Sequence, residues 1–122
     1  MSSRRDQQQE DARLRVMRLI GENAELSTRQ IAKRVGVSNG SAYYIVNALI
    51  KKGFVKLDNF KKNPRKKQYV YLLTPEGVHE KYLLAFRFIK RKRLEFESLR
   101  EEIKVLENEI EINSSPGTSS NK

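Results

Sequence analysis

The sequence predicts a mainly α-helical fold with one small β-hairpin and a long C-terminal coiled-coil helix. Three observations support this prediction. Apolar residues recur at helical spacing through the first half of the chain. Two segments rich in aromatic and β-branched residues then flank a basic connection at 61–67. Finally, a helical pattern extends from Pro75 to about Ile112.

The N-terminal part of the chain divides into an arm and a helix. Residues 1–10 are polar and lack apolar periodicity, so we expect a flexible arm there. A first helix is predicted from about Asp11 to Glu22, because its apolar side chains fall on one face. That predicted buried face consists of Val16, Met17, Leu19 and Ile20.

Two further helices joined by a tight turn are predicted next. Ser27 can cap the first with Gln30 as its capping-box partner, and Gly36 can end it. Ser38 can cap the second helix, and Gly53 ends it. The apolar positions at helical spacing are Ile31, Ala32, Val35, Ala42, Ile45, Val46 and Leu49. This is the pattern of a helix-turn-helix, which presents its second helix to the DNA major groove.

The outward face of that second helix is polar or amphipathic and has no acidic residue. It comprises Ser41, Tyr43, Tyr44 and Asn47. Asn can pair bidentately with adenine, while Tyr and Ser can reach phosphates or thymine methyl groups. Contacts to the DNA backbone are predicted at the start of this second helix, where backbone amides can donate to a phosphate, and in the preceding helix. The residues predicted to make these contacts are Ser38, Asn39, Gly40 and Arg29. The alternative is that the tyrosines pack on a neighbouring element.

A β-hairpin with a basic tip follows Gly53. Residues 54–60 and 68–74 have strand-like composition, and the 61–67 connection holds five positive charges and no negative one. A hairpin in this position is called a wing, so residues 11–74 are predicted to form a winged helix-turn-helix domain. Its predicted DNA contacts, mostly to phosphates, are Lys61, Lys62, Asn63, Arg65, Lys66 and Lys67. The alternative is a solvated charge run that contacts nothing.

The last predicted element is a dimerisation helix over residues 75–112. Thr74, Pro75 and Glu76 supply a cap, a first-turn proline and a first-turn acid. A heptad stripe, broken only by Lys92, then predicts a coiled-coil homodimer. The stripe consists of Tyr82, Ala85, Ile89, Lys92, Phe96, Leu99, Ile103, Leu106 and Ile110. The predicted interface residues are Ile89, Phe96, Leu99, Ile103, Leu106 and Ile110. Basic residues at 87–93 precede a mostly acidic segment, and this pattern favours antiparallel pairing of two chains over parallel pairing. The alternatives are a solvated helix face and a basic cluster that flanks DNA. Residues 113–122 are expected to form a disordered tail.

Composition restricts the classes of function. Lys and Arg number 25 against 15 Asp and Glu, a formal charge of +10 that suits a polyanionic partner. There is no cysteine, His79 is the only histidine, and no zinc-ligand spacing or glycine-rich phosphate loop occurs. We therefore expect a protein without enzymatic activity, cofactor or metal. With no secretory signal and no apolar run of about 20 residues, a cytoplasmic, nucleoid-associated location is expected.

Five strings carry a resemblance to a known family. They begin at Ser27 (STRQIA), Val37 (VSNGSAYY), Asn47 (NALIKKGFV), Tyr71 (YLLTPEG) and Arg87 (RFIKRK). With the order of elements, they make the chain resemble MarR-type winged-helix regulators of bacteria, and in particular the exopolysaccharide-associated subgroup. The resemblance implies a DNA-binding transcription factor that acts on polysaccharide or cell-surface genes. MarR-type proteins usually have further N-terminal helical sequence in the dimer interface, and this chain has little of it.

Three functions remain open at the level of sequence. The first is a sequence-specific dimeric transcription regulator. The second is an architectural, nucleoid-type protein that binds DNA with little sequence choice, and the third is a protein-interaction module built on the coiled coil. The acid-free outward face of the second helix favours the first two over the third. The sequence does not identify an operator, the sign of regulation or a small-molecule effector.

Overall fold

The computed structural model describes residues 3–23, 25–63 and 66–114, and the side chains of 59–69 are not described. The elements in chain order are α1 (Arg4–Glu22), α2 (Thr28–Val35), α3 (Asn39–Lys51), β1 (Val55–Asn63), β2 (Lys66–Leu73) and α4 (Pro75–Ser114). This order confirms the predicted fold class: a helix-turn-helix, a two-stranded antiparallel hairpin and a long C-terminal helix. The chain divides into two compact units, Met1–Phe86 and Arg87–Lys122.

The N-terminal helix is longer than predicted. It begins at Arg4 rather than near Asp11, so the predicted flexible arm is wrong for residues 4–10. A capping box starts it: the Asp6 amide donates to Ser3 Oγ over 3.1 Å, and the Ser3 amide donates to Asp6 Oδ2 over 3.4 Å. These bonds satisfy amides that a helix start leaves without partners, so this turn forms without an apolar face. Residues 1 and 2 lie outside the described part of the chain.

The helix-turn-helix has the caps that its sequence predicts. The Gln30 amide donates to Ser27 Oγ over 3.1 Å, and Gln30 Oε1 accepts from the Ser27 amide over 2.8 Å. Gly36 ends α2 in the left-handed conformation at φ 83°. Glycine adopts this conformation readily because it has no Cβ that could clash with the backbone. Ser38 then caps α3, because its Oγ accepts the Ser41 amide over 3.0 Å. The predicted helix boundaries at this turn are confirmed.

The core of the first unit draws on every helix and both strands. Its buried apolar residues are Leu14, Val16, Met17, Ile20, Leu26, Ile31, Ala32, Val35, Ala42, Val46, Leu49, Val55, Val70 and Leu84. Two predicted core positions, Leu19 and Ile45, are only half-buried. On α1, Leu14 is buried although it was not predicted to be in the core. Helical periodicity identified the face correctly, but its edges depend on which elements pack beside it.

The hairpin has longer strands and a shorter connection than predicted. β1 and β2 pair antiparallel from Val55 opposite Leu73 to Asn63 opposite Lys66, with a register shift between Lys61 and Asn63. Most of the predicted 61–67 connection therefore lies in strands, and residues 64 and 65 lie outside the described part. The hairpin is tied to α2 by a 2.8 Å hydrogen bond between the Thr28 and Tyr71 hydroxyls.

Thr74 joins the end of α3 to the start of α4. Its Oγ1 donates to the Gly53 carbonyl over 2.5 Å and accepts the Gly77 amide over 2.9 Å. Its own amide donates to the Phe54 carbonyl over 3.0 Å. The predicted Thr74 cap is thereby confirmed, and it also holds α4 to the loop before the wing.

The first turns of α4 enter the core on a face that the heptad pattern did not predict. The buried residues there are Gly77 and Leu84. Tyr82, at the start of the predicted stripe, is 60% exposed. The helix continues to Ser114, past the predicted end at Ile112, and the rest of the predicted tail, 115–122, lies outside the described residues.

Gly77→Ala is expected to destabilise the first unit. A Cβ at Gly77 would overlap the Phe54 carbonyl oxygen, the same oxygen that accepts the Thr74 amide. We expect the free energy of unfolding in urea to fall by about 1–3 kcal/mol, as for other overpacked sites. Gly40→Ala is the matched control, because a Cβ there meets nothing within 4 Å. That control should be neutral or stabilising, since alanine is the better helix former by about 0.5–1 kcal/mol. Equal stability of the two variants would contradict the prediction.

Candidate nucleic-acid interface

Packing decides which face of α3 is available for a ligand. Ala42, Val46 and Leu49 form its buried stripe, and α3 packs against α1, α2 and β1. The opposite face is therefore presented to solvent by a helix anchored in the core. The helix Asn39–Lys51 contains no acidic residue. A rigid, acid-free helical surface is suited to the negative potential of a DNA groove.

The two tyrosines of α3 are mostly exposed, and neither is buried against a neighbouring element of the described residues. Tyr43 is 63% exposed and Tyr44 is 75% exposed. Within the described part of the chain, the alternative that these tyrosines serve only to pack against a neighbouring element is therefore not supported. Large exposed aromatic side chains on a polar helix face are available to contact a partner.

The other predicted contact residues around α3 differ in accessibility. Asn39, Gly40 and Ser41 are exposed at the start of the helix, as are Ser38 before it and Arg29 in α2. Asn47 differs from these residues, because its side chain is half-buried and not fully outward as predicted. The Ser41 hydroxyl is held in place, because Ser38 Oγ donates to Ser41 Oγ over 3.0 Å. Ser38, Asn39, Gly40 and Ser41 thus lie together at the start of α3, whereas Asn47 lies about two turns further along the same helix.

The wing carries its predicted basic residues at the far end of the hairpin. Lys61 pairs with Lys67, and Asn63 pairs with Lys66. Lys62 lies at the register shift between Lys61 and Asn63. These positions follow from the backbone, since the side chains of this segment and all of Arg65 lie outside the described residues. Contact between the wing and DNA stays a prediction.

A groove beside α3 was not anticipated from the sequence. It has a volume of about 650 Å³ and lies between the first half of α1 and one side of α3. Arg5 and Arg13 line it, eight positions apart on one face of α1. The expected arm at residues 1–10 left Arg5 outside any helix, so it could not be related to Arg13 in the helix that follows. A helix that starts at Arg4 places both arginines on one face.

The second unit, considered by itself, carries the predicted dimer residues as an exposed apolar stripe. Ile103 is 47% exposed and Leu106 is 50% exposed. The other predicted residues, Ile89, Phe96, Leu99 and Ile110, are exposed as well. Lys92, the break in the stripe, lies 3.2 Å from Glu95 Oε1 and 5.5 Å from the centre of the Phe88 ring. Its charge is therefore satisfied within its own helix.

The described residues contain neither a candidate membrane span nor a candidate metal site. No helix in the described residues has the combination of length and apolar character that a membrane span requires. Across 3–23, 25–63 and 66–114, no three His, Cys, Asp or Glu side chains cluster in a way that could hold a metal ion.

The class of fold is identified by sequence and by structure. Residues 9–56 match a family model described as winged helix-turn-helix DNA-binding. That range includes most of α1, all of α2 and α3, and the start of β1. The chain therefore has the winged helix-turn-helix fold. No curated protein matches the sequence.

Solved structures with a similar fold include MarR-type regulators. The PcaV regulator of Streptomyces coelicolor with its natural ligand is 19% identical, with a TM-score of 0.60 over 88% of this chain and 74% of that one. Staphylococcus aureus MarR with salicylate and kanamycin is 19% identical, with a TM-score of 0.53 over 85% and 73%. Streptococcus pneumoniae FabT in complex with DNA is 22% identical, with a TM-score of 0.52 over 80% and 68%. At these identities the likeness establishes the fold. The comparisons do not confirm the exopolysaccharide-associated subgroup.

Proposed function

We propose that this chain is a dimeric, sequence-specific DNA-binding transcription regulator, with α3 in the major groove and the wing against the neighbouring backbone. The exposed, acid-free face of α3 is the observation that carries the proposal. Its tyrosines and N-terminal polar residues are held on a rigid scaffold whose solved neighbours include a protein bound to DNA. A formal charge of +10 adds a sequence-independent attraction to phosphate.

The proposed regulator acts as a homodimer through the stripe of the second unit. Dimeric helix-turn-helix proteins read two half-sites about 34–36 Å apart, so dimerisation would double the number of base contacts. Within a single α4 helix, opposite charges already pair, Arg91 with Glu95 over 3.9 Å and Lys104 with Glu101 over 3.9 Å. In an antiparallel dimer, the basic start of each helix would also lie beside the acidic remainder of the other. This arrangement would add about 0.2–1 kcal/mol of attraction per exposed pair.

The proposed targets are exopolysaccharide or cell-surface genes. This part of the proposal is supported by the resemblance of the strings at 27–32, 37–44 and 71–77 to the exopolysaccharide-associated subgroup. Mapping the genomic sites that the protein occupies would test it. Sites concentrated upstream of unrelated genes would contradict it.

The competing function is an architectural protein that coats DNA, which the net charge of +10 also favours. The two functions differ in specificity. The test begins by selecting preferred sequences from a random duplex library. The affinities for the selected duplexes and for scrambled duplexes, measured at one salt concentration, then distinguish the two functions. A regulator should prefer its selected site by at least about 10³-fold. No enriched sequence, or a ratio near unity, would favour the architectural function.

Asn47→Ala is expected to reduce specificity more than general affinity. The side chain is half-buried at the edge of the outward face of α3, where its amide can reach a base edge. A lost bidentate contact costs about 1–3 kcal/mol, and only at sites with the preferred base. Competition binding on selected and scrambled duplexes at the same salt measures this difference.

Asn39→Ala is the matched control for Asn47→Ala. Asn39 is exposed at the start of α3, where we propose contact with the DNA backbone. Its loss should weaken binding to both duplexes to the same extent. An Asn47→Ala variant that also loses affinity equally on both would place this side chain at the backbone. A variant that loses none would remove it from the interface.

A further inference from the structure

The α1–α3 groove joins the N-terminal helix to the proposed DNA-binding face. The groove, about 650 Å³ in volume, is bordered by both helices and by the residue that follows α3. Its lining includes Arg5, Gln8, Arg13, Ser41, Tyr44 and Lys52. Ser41 and Tyr44 belong at the same time to the exposed face of α3. A ligand seated along that face therefore borders the groove.

The lining of the groove has one sign of charge. Arg5, Arg13 and Lys52 are basic, and none of the residues that line it is acidic. Asp6, next to Arg5 in sequence, is not part of the lining and accepts the Ser3 amide over 3.4 Å in the capping box. Glutamine, serine and tyrosine side chains add neutral hydrogen-bond donors. Guanidinium groups with such donors bind phosphate oxygens well.

We propose that the α1–α3 groove binds the phosphate backbone of the DNA that flanks the site read by α3, with Arg5 and Arg13 as its main phosphate ligands. This inference depends on the proposed DNA-binding function of α3. It adds the N-terminal helix to an interface otherwise made by the helix-turn-helix and the wing. It also accounts for the capping box at Ser3, because the helix that this box starts is what carries Arg5 beside α3.

The dimensions of the groove match a short stretch of backbone. Arg5 and Arg13 are eight residues apart in one helix, or about 12 Å at 1.5 Å per residue. A DNA strand carries a phosphate about every 3.4 Å along the axis, so this length corresponds to roughly three phosphates. Two arginine contacts over that distance are therefore sterically reasonable. Each should contribute about 0.9 to the slope of log affinity against log salt.

The test is the salt dependence of DNA binding by the Arg5→Gln, Arg13→Gln double variant. Glutamine keeps much of the side-chain length and removes the charge. Between 50 and 200 mM salt, the variant should lose about tenfold less affinity per bound protomer than the wild type does, because about 1.8 of slope is removed for each protomer on the DNA. The loss should be similar on selected and scrambled duplexes. Fluorescence anisotropy titrations at several salt concentrations provide the measurement.

The matched control is the Arg15→Gln, Arg18→Gln double variant. Both arginines are exposed on α1 outside the groove, and the change in net charge is the same. Its slope should stay close to that of the wild type. Equal slopes for the groove variant and the wild type, or equal changes in both double variants, would overturn the groove proposal. A wild type that does not bind DNA would instead overturn the proposed function.

A single Arg5→Gln variant keeps the test independent of folding. Arg5 is exposed in the first turn of α1, whereas Arg13 is half-buried and could contribute to packing. This single change should lower the slope by about 0.9 for each bound protomer, with an unchanged melting temperature. An unchanged slope in a variant that melts like the wild type would count against Arg5 as a phosphate ligand.

Discussion

Replacing the five basic residues of the wing tip with alanine should remove a large part of the salt dependence of DNA binding. The changes are Lys61→Ala, Lys62→Ala, Arg65→Ala, Lys66→Ala and Lys67→Ala. Each lost phosphate contact reduces the slope of log affinity against log salt by about 0.9, so the full effect is about 4.5 for each protomer on the DNA. Between 50 and 200 mM salt, this corresponds to a difference of about 500-fold per bound protomer in the affinity lost. Isotherms on selected and scrambled duplexes at several salt concentrations measure it.

The large expected effect follows from the position of these residues on the hairpin. The paired strands carry Lys61 and Lys67 opposite each other at its far end, beyond the part tied to α2 and α4. Because phosphates carry no sequence information, affinity should fall similarly for every duplex. Changing the four lysines to arginine instead is the control, since the charge is kept and the slope should be retained. An alanine variant with the slope of the wild type would show that the wing does not meet the backbone.

Ile103→Lys should dissociate the proposed dimer. Ile103 is in the middle of the exposed stripe of the second unit, and at 47% exposure it has apolar surface left to bury. A homodimer loses two such side chains at about 1.5 kcal/mol each, and 3 kcal/mol corresponds to about a 100-fold weaker association. A lysine at a core position of a coiled coil weakens pairing further. Sedimentation velocity over a concentration series gives the dissociation constant of each variant.

Asn108→Lys is the matched control for the dimer prediction. Asn108 is exposed on the same helix but outside the predicted stripe, and the substitution adds the same charge. The control should remain dimeric and bind a two-half-site duplex like the wild type. Ile103→Lys should bind that duplex with the affinity of a single half-site. A wild type that sediments as a monomer at micromolar concentration would contradict the proposed dimer, whatever the variants do.

Local signals in the sequence determined much of the first unit. The caps at Ser27, Ser38 and Thr74 could be predicted because each hydrogen bond joins residues only three positions apart. The same holds for the end of α2 at Gly36, which needs only a backbone conformation that glycine adopts readily. The strand-like composition of residues 54–60 and 68–74 likewise predicted a hairpin. The cap of α1 at Ser3, which was not predicted, is a local signal of the same kind, because Ser3 Oγ accepts the amide of Asp6 three positions later.

Tertiary structure alone decided which of several possible faces is buried. Helical periodicity on α4 offered a stripe beginning at Tyr82, but the core takes Leu84 and Gly77. The reason is the approach of α4 to the Phe54 backbone, which only a glycine at position 77 permits.

The α1–α3 groove depended on tertiary structure in the same way. Arg13 and Tyr44 both line it, although no spacing rule connects these two residues. A sequence repeat specifies that a helix has an apolar or a basic face. Which face meets the core, and which meets another helix, depends on contacts between residues far apart in the chain.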